Sequence, residues 1–73
     1  MEREQVSSSN VKSIGYDINT SILEVEFKNG RVYQYFNVPI NVYNALINAS
    51  SIGKYLNSNI VGVYNTLNCN VFR

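Results

Sequence analysis

The clearest pattern in the chain lies near its middle. Residues 22–27 (ILEVEF) alternate apolar and polar side chains, Asn29-Gly30 follows, and residues 31–36 (RVYQYF) alternate again. Alternation at a period of two marks a strand with one buried face, and Asn-Gly accepts the positive φ values of a two-residue type I′ turn. A β-hairpin of fixed register is predicted. Lys28 opposes Arg31, Phe27 faces Val32, Val25 faces Gln34 and Leu23 faces Phe36. On the opposite side Glu26 lies across from Tyr33, and Glu24 across from Tyr35. The first face is nearly all apolar and belongs to the core; the second presents two tyrosines flanked by two glutamates.

An earlier strand is expected over residues 11–17 (VKSIGYD), with turn formers at 17–21 (DINTS) returning the chain antiparallel. Residues 1–9, including the serines at 7–9, read as a flexible lead-in. After Phe36 the period lengthens. Pro39 suits a first helical turn, and Ile40, Tyr43, Leu46 and Ile47 share one helical face. Ser50-Ser51 breaks this helix and offers an N-cap to a second, whose apolar stripe is Ile52, Tyr55, Leu56, Ile60 and Val63. Gly62 weakens that helix by roughly 1 kcal/mol relative to alanine, so it ends or bends there. Residues 66–73 form a tail for which an edge strand and a frayed end both stay open. Strands followed by helices make an α+β fold: a three-stranded antiparallel sheet with two helices packed on one face (βββαα), in a single domain with its body at 10–65.

Composition narrows the function. The 73 residues allow one domain that buries only about 60–65% of its unfolded surface. Cys69 is the single cysteine, so no disulfide staples the chain, and it reads as a small half-buried hydrophobe. The first ten residues lack the apolar core of a signal peptide, and no stretch approaches the roughly 20 apolar residues of a membrane span. A soluble cytoplasmic protein is expected. Net charge is +1, which weighs against a dedicated nucleic-acid binder with a strongly basic face. Twelve asparagines and six tyrosines supply the polarity instead, through amides and phenols.

Catalytic chemistry finds little footing. There is no histidine, one cysteine cannot build a structural zinc site, and the four glycines are isolated rather than clustered in a phosphate-cradling loop. Glu24 and Glu26 share one strand face, where paired carboxylates usually form a solvated surface that guards against aggregation. No catalytic residue, metal or cofactor is expected. Two constellations remain. Tyr33 and Tyr35 present adjacent rings, and a base stacked on such a ring gains about 1–3 kcal/mol; the plainer reading packs them beneath the second helix. The segment 51–59 (SIGKYLNSN) combines Lys54, Tyr55 and Asn57 with Gly53, which admits close backbone approach, and a helix start at Ser51 that offers free N–H groups to an anion. Its plainer reading is a capped amphipathic helix with a solvated face. Lys12 and Arg31 lie on the strand side and extend a thin basic stripe.

With these segments placed, the chain resembles the KTSC domain family, named for its occurrence at the C-terminus of some lysyl-tRNA synthetases and found alone in bacteria and phages. The resemblance is carried by VSSSNVKSIGYD (6–17), NGRVYQYFNVP (29–39), VYNAL (42–46) and SSIGKYLNSNIVGVY (50–64), in that order and spacing. It maps the family's Tyr-x-Tyr motif onto Tyr33 and Tyr35, and its Gly-Lys-Tyr-x-Asn segment onto Gly53, Lys54, Tyr55 and Asn57. Where relatives commonly carry arginine after the isoleucine at 60, this chain has Val61. The family's function is not established, and RNA binding has been suggested for it. The resemblance therefore implies weak single-stranded RNA binding on the tyrosine face. Capture of a nucleotide-like small molecule, as by a phage-type sequestering protein, and a protein-interaction or homo-oligomerisation module are the alternatives. On the predicted register, Tyr33→Ala or Tyr35→Ala abolishes binding and leaves the fold intact.

Overall fold

The computed structural model describes residues 1–69. Seven elements follow one another: β1 (Glu4–Gln5), β2 (Val11–Asp17), β3 (Ile22–Phe27), β4 (Val32–Tyr35), α1 (Ile40–Ile47), α2 (Ile52–Asn59) and β5 (Thr66–Asn68). All five strands lie in one antiparallel sheet in the order β1-β2-β3-β4-β5. The three-stranded βββαα arrangement expected from the pattern is thus corrected to a five-stranded sheet with chain order ββββααβ. The three strands read from alternation are β2, β3 and β4. The two further strands span only two and three residues, too short for alternation to register, and both sit at sheet edges; the pattern misses β1, whereas β5 is the edge-strand alternative left open for the tail. They fall in the stretches read as lead-in and tail; residues 70–73 of that tail lie outside the described part.

The hairpin turn departs from expectation by one residue, with large consequences. Gly30 takes φ 91°, but Asn29 is not among the residues of positive φ, so the type I′ geometry is not formed. Instead the Phe27 N–H donates to the Arg31 carbonyl at 2.8 Å and the Gly30 N–H to the Phe27 carbonyl at 2.9 Å, leaving residues 28–30 as a three-residue loop. The Asn29 side-chain oxygen accepts the Arg31 N–H at 3.0 Å, a local bond that suits asparagine before the bulge. Pairing now runs Leu23↔Tyr35, Glu24↔Gln34, Val25↔Tyr33 and Glu26↔Val32. A slip of one residue exchanges the faces of a strand. Tyr33 and Tyr35 therefore stand beside Leu23 and Val25 on the core side, not beside the glutamates as predicted. The physical preference is plain: this register buries two aromatic rings, whereas the other would have turned the Gln34 amide inward.

The core is built on that face. Val11, Ile14, Leu23, Val25 and Tyr35 from the sheet meet Leu46, Leu56 and Ile60 from the helical half, all nearly inaccessible. A β-bulge between Val11 and Ser13 lets Val11 and Ile14, three positions apart, both turn inward. Tyr16 stacks on Tyr43 of α1 with ring centroids 4.7 Å apart and donates its hydroxyl to the Val38 carbonyl at 2.6 Å, which clamps the start of α1 to the sheet. Phe27 and Tyr33 meet edge to face at 5.8 Å. Pro39 stands at the N-cap of α1, and Ser51 caps α2 by accepting the Lys54 N–H. The second helix stops at Asn59, before Gly62 at φ 81°, so Val63 is left 62% exposed rather than joining the stripe.

The opposite sheet face is polar and organised by one absent side chain. The register aligns Gly15, Glu24 and Gln34 in a row, and β1 brings Arg3 to its end. The Arg3 guanidinium crosses the bare Gly15 to pair with Glu24, lies 3.6 Å from Glu26, and donates through Nε to Ser13 at 3.2 Å. Gln34 donates to the second Glu24 oxygen at 2.8 Å, and the Ser13 hydroxyl donates to Glu26 at 2.9 Å. These bonds let Glu24 be buried without leaving its carboxylate unpaired.

Three expectations follow. Tyr35→Ala should cost about 3–4 kcal/mol, read as a fall in the urea midpoint, because a buried ring leaves a cavity; loss confined to a binding assay would contradict this packing. Burial pushes the Tyr35 phenol above its ordinary value of 10.0, Tyr33 adds to the rise, and a hydrogen bond with Thr66 opposes it. Ionisation is thus harder in the folded chain. Its contribution to stability is intact below about pH 10 and is lost as pH rises through the folded value, so Tyr35→Phe should flatten that alkaline fall in the urea midpoint. Finally, a Cβ at Gly15 would collide with the Glu2 carbonyl oxygen and press on Arg3. Gly15→Ala should free β1 and speed hydrogen exchange at Glu4 and Gln5 while the core amides stay protected.

Candidate functional site

The predicted site residues do not converge. Tyr35 is only 4% exposed and presents no face on which a base could stack, while Tyr33 is half-buried and packed edge to face with Phe27, so the two rings do not form a paired platform. Tyr55 packs its ring against the core. Lys12 leans toward Glu26 at 4.0 Å on the helix-free face, so it does not form a stripe with Arg31 and Lys54. Arg31 ends the hairpin loop, exposed, and Lys54 is exposed on α2. Glu24 and Glu26 are held by Arg3, Ser13 and Gln34, a structural network rather than an acid–base pair. Burial and the nearby Glu24 push the Cys69 thiol up, which suits an unreactive side chain.

One part of the predicted constellation is kept. Gly53 and Asn57, one turn apart on α2, line a cleft of about 280 Å³ whose other side is the hairpin tip, with Phe27, Lys28 and Asn29. Asn10, in the segment before β2, closes one wall. Three local bonds build it. The Asn10 carbonyl accepts the Lys28 N–H at 2.8 Å, tying the segment to the hairpin. The Ser8 hydroxyl oxygen accepts the N–H groups of Asn10 at 3.4 Å and Val11 at 3.3 Å, which turns the chain into β2. At Gly53 a Cβ would lie 3.7 Å from the Ser8 hydroxyl and 3.9 Å from the Asn10 amide nitrogen, ordinary contact distances, so the packing of α2 here tolerates a methyl group.

The cleft has a distinct chemistry. The Phe27 ring is apolar, and the amides of Asn10, Asn29 and Asn57 can each donate and accept. Among the described residues, Lys28 brings the single positive charge and no carboxylate lines the cleft. All five acidic residues, Glu2, Glu4, Asp17, Glu24 and Glu26, lie elsewhere. The net charge of +1 therefore conceals segregation. Arg3 and Lys12 are paired with Glu24 and Glu26, while Lys28, Arg31 and Lys54 form no ion pair among the described residues. Alternation and helical periodicity could not reveal this site, because it joins three loops and helix starts separated by more than forty positions. The one signal was the asparagine content at residues 10, 29 and 57.

A model of the KTSC domain family matches residues 7–64, so the chain belongs to that family. It is similar to an uncharacterised protein of Stutzerimonas stutzeri, 46% identical over 57 residues that make up 78% of this chain and 80% of the relative. It is also similar to the lysine–tRNA ligase of Trichormus variabilis, 41% identical over 54 residues; these make up 74% of this chain but 10% of the ligase. A crystal structure of a KTSC domain protein from Yersinia pestis superposes with a TM-score of 0.87 at 35% identity, covering 92% of this chain and 94% of the other. Among the described residues no helix is long and apolar enough to cross a membrane.

Proposed function

We propose that the chain is a non-catalytic binding module that receives one nucleotide unit, free or within a single RNA strand, in the cleft between the hairpin tip and α2. The observation that carries this reading is the composition of the cleft: an aromatic ring, three amides and a lysine, with no carboxylate. An aromatic edge and amides that both donate and accept suit the flat, two-sided hydrogen-bonding edges of a base. The volume of about 280 Å³ lies near the lower end for small-molecule sites, enough for one unit and not for a strand. The ligase relatives, which act on a tRNA by their name, support RNA as one source of that unit. The site replaces the Tyr33–Tyr35 platform, which the register turns into the core.

The test is a titration of the isotope-labelled chain with mononucleotides and short single-stranded RNA, followed by NMR. Shifts should cluster at residues 27–29, 53–57 and Asn10. With one lysine in the cleft, log K should fall against log salt with a slope of only about −1. Gly53→Ala adds a methyl to the cleft wall without displacing α2 and suits a helix better, so it should narrow the cleft and weaken binding while raising stability by about 0.5–1 kcal/mol. Absence of binding to every nucleotide at millimolar concentration, or shifts confined to the helix-free face, would overturn the proposal.

A further inference from the structure

Beyond Lys28 the cleft continues into a second hollow of about 390 Å³, which shares Ser9 and Lys28 with the first. Its lining is dominated by hydroxyls: Ser7, Ser8, Ser9, Ser50 and Ser51. Two stretches far apart in the chain, the lead into β2 and the junction of α1 with α2, thus place five serines around one lysine.

The hydrogen bonds of these serines set their remaining chemistry. A hydroxyl has two lone pairs and one proton. Both lone pairs of Ser8 are engaged by the N–H groups of Asn10 and Val11, so its proton is what it can still offer. Ser51 has one lone pair taken by the Lys54 N–H at 3.4 Å. The hollow is therefore biased toward donors, and the Lys28 ammonium adds donors without an acceptor. No carboxylate lines it. Two other hollows among the described residues do carry carboxylates: one is lined by Glu2, Glu4 and Asp17, and another by Glu26 beside Arg3 and Lys12. Many converging donors, one cation and no anion match a group with several terminal oxygens and negative charge.

We infer that the serine-lined hollow holds the phosphate of the ligand whose base lies against Phe27, which makes the ligand class a nucleoside phosphate rather than a nucleoside. This rests on the nucleotide reading given above. Lys28 stands in both hollows and sits where base and phosphate subsites meet. The phosphate belongs either to a free nucleotide or to one nucleotide of an RNA strand, and the chemistry of the hollow is the same for both.

Calorimetric titrations of the intact chain with nucleoside monophosphates, the matching nucleosides, and 5′-phosphorylated and unphosphorylated RNA tetramers test this. The monophosphates should bind about tenfold or more tighter than the nucleosides, and inorganic phosphate should compete with the monophosphate but not with the nucleoside. Lys28→Ala, an exposed loop change that leaves the melting temperature unaltered, should bring monophosphate and nucleoside affinities together. A phosphorylated tetramer binding more tightly than the mononucleotide identifies a strand as the source, and the reverse order a free nucleotide; both support the inference. Equal affinity for nucleoside and monophosphate in the unmodified chain would overturn the phosphate subsite while leaving the base cleft standing. Failure of all four ligand types would overturn the nucleotide reading itself.

Discussion

Everything in this domain depends on one backbone dihedral, the positive φ of Gly30. Because Gly30 alone turns left-handed, the loop takes three residues, and the strands that leave it are paired one step away from the two-residue solution. That step decides which side chains of β4 enter the core. It sends Tyr33 and Tyr35 beneath the helices and Gln34 onto the open face, where its amide completes the coordination of Glu24. The polar network and the apolar core are two results of the same choice.

The choice also explains why a hairpin readable in outline was misread in its faces. Alternation in residues 22–27 and 31–36 marks two strands, and of the two helical stripes Leu46, Ile52, Leu56 and Ile60 are buried, whereas Ile40, Ile47 and Val63 of the same expected faces are exposed. Neither pattern contains the turn length. Asn-Gly suits a two-residue loop by its intrinsic preferences, but the gain from burying two tyrosine rings rather than an amide is tertiary and outweighs it. The edge strands were hidden for another reason. Glu4–Gln5 and Thr66–Asn68 bury little; ladder bonds hold both, Arg3 adds to the first and the Thr66 hydroxyl to the second, and none of these leaves a hydrophobic signature. Of the site, Gly53 and Asn57 were legible as a polar helix start, whereas Asn10, Phe27, Lys28 and Asn29 gained meaning only when folding brought them opposite α2.

Charge shows how summed quantities mislead in small proteins. A net charge of +1 weighs against a dedicated nucleic-acid binder with a strongly basic face. Yet the two glutamates of β3 absorb Arg3 and Lys12 on one side of the sheet. Among the described residues, the remaining cations Lys28, Arg31 and Lys54 are left at the hairpin and on α2. Local fields decay over about 10 Å at moderate salt, so a ligand at the cleft senses Lys28 and its neighbours rather than the total.

The position of β4 carries a consequence for how the chain assembles. On one side it pairs with β3 across a loop of three residues; on the other it pairs with β5, with Tyr33 opposite Asn68. The first contact is local and closes early, within the microseconds typical of a hairpin. The second must wait until both helices have been laid down, since it closes a loop of more than thirty residues. β5 thus acts as the last stave fitted to a nearly finished sheet. During synthesis, the flank of β4 stays open until residues 66–68 have emerged, and in that interval the growing chain is exposed to pairing with the wrong neighbour.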